Sequence, residues 1–212
     1  MIAIVGGKGG CGKTTTSVGL GRALARRGDR VIVADADCDM PNLHTVTETP
    51  YSPGLGALDD GASPARVIHE SPRFPGLRVV PSGSLTGATT PELLAALHRL
   101  RDRVILDCPA GATTGVTAPL AAADAAIVVS TAEQASLVDA VKTARMVRSV
   151  GTPLLGSVVT RAPPDFDPGQ TPLHSECSVL AVVPEHPGAS THEHITHMAY
   201  ARLAEGVAER KI

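Results

Sequence analysis

A glycine-rich stretch near the amino terminus, Gly6-Gly7-Lys8-Gly9-Gly10-Cys11-Gly12-Lys13-Thr14-Thr15-Thr16, constrains this 212-residue chain more than any other feature. Its spacing, Gly7, four residues, then Gly12-Lys13-Thr14, is that of a phosphate-binding loop. The apolar run Ile2-Ala3-Ile4-Val5 before it reads as a buried strand, and a helical pattern follows, which is the context such a loop requires. Glycines let successive backbone N–H groups turn inward around an anion, because a side chain there would block φ > 0 or stand where phosphate oxygens approach. Lys13 places a charge against the β- and γ-phosphates, the Thr14 hydroxyl is a candidate Mg²⁺ ligand, and the helix that follows points its positive end at the same charge. Residues Gly7, Lys8, Gly9, Gly10, Cys11, Gly12, Lys13, Thr14 and Thr15 are therefore the candidate nucleotide contacts.

Lys8 sets this loop apart. Lysine is scarce, with two of the four in the chain falling inside this loop and the others at Lys142 and Lys211. The run Lys8-Gly9-Gly10-Cys11-Gly12-Lys13-Thr14 resembles the deviant Walker A motif of the MinD/ParA family of ATPases. That resemblance implies that Lys8 reaches across a dimer interface to the partner's nucleotide. The plainer reading is one more positive charge for the same nucleotide.

Along the chain, residues 14–27 form a helical pattern with Val18, Leu20, Ala23 and Leu24, arginines in the last turn and a Gly28 stop. Val31-Ile32-Val33-Ala34 is the next buried strand. It ends at Asp35-Ala36-Asp37-Cys38-Asp39, carboxylates at alternating positions beyond a strand's carboxyl end, the edge where open α/β sheets bind ligands. Carboxylates there hold Mg²⁺ through water or orient a water for attack on phosphorus, although an acidic loop that merely solubilises a strand end has the same composition. Asp35-Ala36-Asp37 with Asn42-Leu43 resembles the DxD…NL pattern of MinD-like proteins. By that likeness Asp35 positions the attacking water and contributes to the metal site, and Asp37 links magnesium to the switch region.

Residues 44–76 are rich in Pro, Gly and Ser and read as surface, with short helices expected at 55–59 and at 64–69 after a Ser63 cap. Residues 77–83 read as a strand and loop, and 90–101 as a helix with Leu93, Leu94, Leu97 and Leu100 on one side. Val104-Ile105-Leu106-Asp107 has the form of a Walker B strand, and Asp107-Cys108-Pro109-Ala110-Gly111 resembles the family's Asp-x-Pro-Ala-Gly signature. The likeness implies that Asp107 binds Mg²⁺ through its water shell and that 109–115 is a switch loop. Further strands are expected at 126–129 and 154–159 around a helix at 133–150, with a Pro-rich loop at 162–177 and a last helix at about 195–211. Thr160-Arg161 and the 182–185 stretch with Pro184 resemble the two adenine-side elements of the family.

Alternating strands and helices predict an α/β fold, a doubly wound, mostly parallel sheet flanked by helices, as one domain over 1–212. A formal charge of −2 gives no reason to expect non-specific nucleic-acid binding by the whole surface. Direct nucleic-acid contact is left open. No apolar run reaches the eighteen or so residues of a membrane span, and the chain opens on a strand rather than a signal peptide, so a cytoplasmic location is expected. The stripe Tyr200, Leu203, Ala204 and Val207 reads as core packing, and the chain stops where MinD proper carries a membrane-targeting helix, so direct membrane binding is not expected. The four cysteines show no CxxC. Cys11, Cys38 and Cys108 are expected in loops near the nucleotide, as small loop residues or as oxidation-sensitive thiols. His192, His194 and His197 read as a solvated turn rather than a metal site.

Taken together, the resemblance implies an Mg-ATP-dependent switch: ATP and Mg²⁺ as cofactors, Lys8, Lys13, Asp35 and Asp37 in catalysis, and Thr14, Asp35 and Asp107 at the metal. It also implies a homodimer in the ATP state, an activating protein partner of unknown identity, and control of intracellular positioning. An iron–sulfur carrier, a P-loop kinase or ligase, and a non-hydrolysing nucleotide-binding regulator are the alternatives; the first needs paired cysteines and the second does not need Lys8.

Overall fold

The computed structural model describes residues 1–59, 61–85, 89–100, 102–111, 114–185 and 189–209, leaving aside the side chains of 59, 114 and 189–195. Strands β1 (Ile2–Gly6), β2 (Val31–Asp35), β3 (His69–Glu70), β4 (Arg78–Val80), β5 (Arg103–Ala110), β6 (Ala125–Thr131), β7 (Leu154–Ala162) and β8 (Val179–Pro184) form one sheet, ordered β3-β4-β2-β5-β1-β6-β7-β8. Every pairing is parallel except that of β3 with β4. The helices are α1 (Lys13–Arg26), α2 (Leu43–Thr47), α3 (Gly56–Asp59), α4 (Pro64–Val67), α5 (Pro91–His98), α6 (Thr114–Ala122), α7 (Gln134–Val150) and α8 (Ala189–Ala208). The doubly wound sheet expected from the alternation of strands and helices is the one observed.

Continuous apolar strands are what a sheet covered on both faces demands. Ile2 and Ile4 of β1, with Val31 and Val33 of β2, point into a cluster shared with Leu20 and Leu24 of α1 and Tyr200, Leu203 and Val207 of α8. Ala3 and Val5, with Ile32 and Ala34, point into the opposite cluster with Leu94, Leu97, Leu120, Leu137 and Val147 of α5, α6 and α7. The α8 stripe is thus core. Its contact with α1 is close enough that a Cβ on Gly19 would stand 2.4 Å from the Tyr200 ring.

Three local expectations need correction. Residues 44–76 are not merely surface: Leu55 and Val67 are fully buried, and the Leu55 and Gly56 N–H groups donate to the Pro81 and Ser82 carbonyls at 2.8 and 3.1 Å. Pro64 opens its short helix as expected, but the Ser63 side chain makes no capping bond and the helix stops at Val67, giving way to β3. The segment 162–177 contains two 3₁₀ turns, Pro168–Gln170 and Pro172–Ser175, with Leu173 buried. In each case an apolar anchor within a polar, Pro-rich stretch decides the outcome.

Because β1 lies at the centre of the order, its carboxyl end opens onto the rim between β5 and β6. The crossover from β1 runs through α1 to β2 on one side, and the crossover from β5 passes β1 to reach β6 on the other, which leaves a crevice at that rim.

Candidate functional site

The loop between β1 and α1 occupies the crevice, and its glycines divide into two groups. A Cβ on Gly6 would meet Cys11 Sγ at 2.5 Å and the Val129 carbonyl at 2.9 Å; one on Gly7 would meet Asp139 of α7 at 2.7 Å. These two let the loop pack down against its neighbours. A Cβ on Gly9 or Gly10 would meet nothing within 4 Å, so this side of the loop is open. Gly10 and Gly12 hold φ of 73° and 93°, the left-handed region that lets successive N–H groups converge. Helix α1 begins at Lys13, itself only 9% exposed, with its unpaired first-turn N–H groups beneath the loop.

Two carboxylates face this turn. Asp35, the last residue of β2, and Asp107, within β5, are register partners, 0% and 2% exposed. Burial pushes the Asp107 carboxyl up to about 6, against the downward pull of Thr14, Lys13 and Ser17; the Ser17 hydroxyl donates to Asp107 Oδ1 at 3.1 Å. Burial, and then the charge of Asp107, push Asp35 up to about 7. The Thr14 hydroxyl donates to Asn42 Oδ1 at 2.9 Å. Hydroxyl and carboxylate oxygens gathered beside a phosphate-type loop, with more negative charge than Lys13 offsets, make a hard-oxygen donor set that fits Mg²⁺.

The setting of Asp35 differs from the one expected for a residue that orients water. Both its oxygens accept main-chain bonds, from Asp37 N–H at 3.2 Å and Leu43 N–H at 3.1 Å. It fastens the loop 36–43 to the rim. Asp37 is half-buried, its Oδ1 accepting the Met40 N–H at 3.1 Å, and it is the carboxylate of the pair that meets solvent. Lys8 is exposed and pairs with Glu133, the residue preceding α7, at 3.5 Å. Pro109 and Ala110 lie in β5 rather than in a switch loop; Gly111 follows with φ of 80°, and 112–113 are outside the described residues.

On the far side of α1 a cleft of about 270 Å³ brings Thr160, Arg161 and Pro184 together with Gly12 and Thr15. The Thr160 hydroxyl faces the P-loop, its one proton shared between the Cys11 carbonyl at 2.8 Å and the Ser130 carbonyl at 3.2 Å. Arg161 is exposed with φ of 50°. Thr196 and Tyr200 of α8 complete the wall. Sequence reasoning assigned no site role to Ser17, Glu133, Asp139 or Thr196; of these Ser17 left a signal, as a polar residue on the buried face of α1.

The cysteines do not form a reactive set. Cys108 lies in strand β5 inside the core, not in a loop as expected, and burial drives its thiol far up. Burial also raises Cys11, and burial with the charges of Asp35, Asp37 and Asp39 raises Cys38 to about 11. Thiols held protonated are poor nucleophiles and are slow to oxidise. His192 and His194 fall outside the described side chains, and among the described residues no group of His, Cys, Asp and Glu is placed to hold a metal by itself.

Residues 2–194 match the CobQ/CobB/MinD/ParA nucleotide-binding domain. The chain belongs to this family. An ATP-binding protein of Methanocaldococcus jannaschii is 35% identical over 198 residues, covering 88% of this chain and 74% of that one. The septum site-determining protein MinD of Synechocystis is 30% identical over 175 residues, covering 78% of this chain and 66% of its own length. Among solved structures, the cell division ATPase MinD of Pyrococcus furiosus superposes with a TM-score of 0.83 at 27% identity, covering 98% of both chains. The MinD of Pyrococcus horikoshii, determined with Mg-ADP, gives 0.80 at 26% identity, covering 97% and 94%. The MinD/ParA resemblance read from Lys8-Gly9-Gly10-Cys11-Gly12-Lys13-Thr14 is therefore correct as to family and fold.

Proposed function

We propose that this chain binds ATP with Mg²⁺ and hydrolyses it to ADP and phosphate, as a dimerising switch of the MinD/ParA type. The observation that carries this reading is the convergence of a two-lysine phosphate loop with the rim carboxylates Asp35 and Asp107. Gly9, Gly10 and Gly12 would present backbone N–H groups to the phosphates, Lys13 would meet the β- and γ-oxygens, and α1 would aim its dipole at them. Thr14 and, through water, Asp107 and Asp35 would hold the metal, whose chemistry is to neutralise charge on the phosphate oxygens.

Asp35, engaged by two main-chain N–H groups, acts by fixing the loop that carries Asp37. Asp37 orients the attacking water. This arrangement supplies positioning and charge stabilisation, the main resources of phosphoryl transfer, so basal turnover is slow and a protein partner accelerates it. Lys8, exposed at the loop's outer edge, reaches the nucleotide of a second copy. The output is control of intracellular position, by analogy with the septum-site relatives. Against an iron–sulfur carrier stands Cys108, sealed in the core and not presented to a partner.

Phosphate release from ATP, followed with and without Mg²⁺, tests the reading. Wild-type protein turns over only with the metal, and Lys13→Ala does not turn over. Nucleotide bound without any phosphate release, even at high protein concentration, would support a regulator in its place.

A further inference from the structure

We infer that the Thr196 hydroxyl of α8 is a hydrogen-bond partner for the edge of the nucleobase, making α8 the third wall of the base pocket. The inference rests on the nucleotide-binding reading above and extends it to a residue beyond position 194, where the family match ends. Thr196 lines the 270 Å³ cleft with Gly12, Arg161 and Pro184, and its Oγ1 is buried with no hydrogen-bond partner. A helical threonine usually returns its hydroxyl to a carbonyl in the preceding turn, and a buried polar atom without a partner is uncommon and calls for one.

Three of the polar groups around the cleft are already engaged within the protein. The Thr160 proton goes to the Cys11 and Ser130 carbonyls, and the Glu185 N–H donates to the Ala162 carbonyl at 2.9 Å. The Tyr200 hydroxyl lies 3.4 Å from Thr16 Oγ1 on α1. One turn of helix separates Tyr200 from Thr196. The same helix is locked against α1 by the Tyr200 ring over Gly19, so Thr196 is held at a fixed height above the loop that would carry the phosphates. A hydroxyl both donates and accepts, so it can pair with a ring nitrogen or with an exocyclic group of a purine.

The test compares Thr196→Val, which keeps the shape and removes the hydroxyl, with wild type for two ligands: ATP, and tripolyphosphate, which has the phosphates without base or sugar. Calorimetry is expected to show ATP weakened about five- to tenfold, the scale of one ordinary hydrogen bond, with tripolyphosphate unchanged. Thr196→Ser restores ATP affinity to within about twofold of wild type. Unchanged ATP affinity in Thr196→Val overturns the proposal, and so does equal weakening of both ligands, which marks a packing defect. Wild-type protein that binds neither ligand removes the phosphate-loop reading itself, and the proposal with it.

Discussion

The two sides of this crevice that we propose take the phosphates and the base are built on opposite plans. On the phosphate side, side-chain chemistry is dense and sequence-local: Gly7 to Thr14 are eight consecutive residues, and Asp35 and Asp107 are register partners on adjacent strands. On the proposed base side, the wall is assembled from β7, β8 and α8, segments far from the loop in sequence, with the Thr160 hydroxyl bracing the P-loop. Charge recognition requires particular atoms at particular spacings, whereas shape recognition requires only that distant segments arrive together.

That contrast is tested most severely at Lys13. Lys13→Ala is expected to lower ATP turnover about a hundredfold or more, because it removes a largely buried charge from the phosphates, with circular dichroism unchanged. No substitution on the proposed base side is expected to have an effect of that size. If Thr160→Val matched it, the division would fail. The expected cost of Thr160→Val is about 1–2 kcal/mol of stability, read from urea unfolding, since two carbonyls lose a shared donor.

Within the phosphate side itself, Gly7→Ala and Gly9→Ala should separate packing from ligand approach. The first forces a Cβ to 2.7 Å from Asp139 and is expected to cost about 1–3 kcal/mol, visible as a lower Tm. The second meets open space, so Tm holds while tripolyphosphate affinity falls. Equal Tm losses would contradict the two-group account of the glycines.

The buried carboxylates give a pH signature confined to the same side. Asp35 and Asp107, raised to about 7 and about 6, bind protons more tightly folded than unfolded. Stability of the metal-free protein therefore falls as pH rises from about 4 through 7, and Tm at pH 8 is expected several degrees below that at pH 5.5. Mg-ADP should narrow the difference, and Asp107→Asn should flatten it; a Tm that rises steadily over this window would refute the assignment. The smallest effect belongs to the exposed Lys8–Glu133 pair: Glu133→Gln should change stability by under about 0.5 kcal/mol.

The same contrast explains what was legible in the sequence. The loop, its flanking strand and helix, and the rim position of Asp35 and Asp107 follow from motif spacing and apolar periodicity, because both are local. The main-chain bonding of Asp35, on which the proposed division of labour with Asp37 rests, was not, since it depends on where the Asp37 and Leu43 N–H groups point after the loop closes. Cys108 was misplaced because a strand's end is set by its neighbours: β5 continues past Asp107, and its Ala110 still pairs with Gly6 of β1. Thr196 is separated from Gly12 by most of the chain, and no spacing rule spans that distance.

Light scattering of Asp37→Ala asks whether two copies associate through Lys8 when ATP is bound, because blocked hydrolysis traps the ATP state. The account predicts twice the monomer mass with Mg-ATP, monomer mass with Mg-ADP, and monomer in both once Lys8→Ala is added. Monomer mass with Mg-ATP, in a variant shown by calorimetry to bind it, would contradict the account.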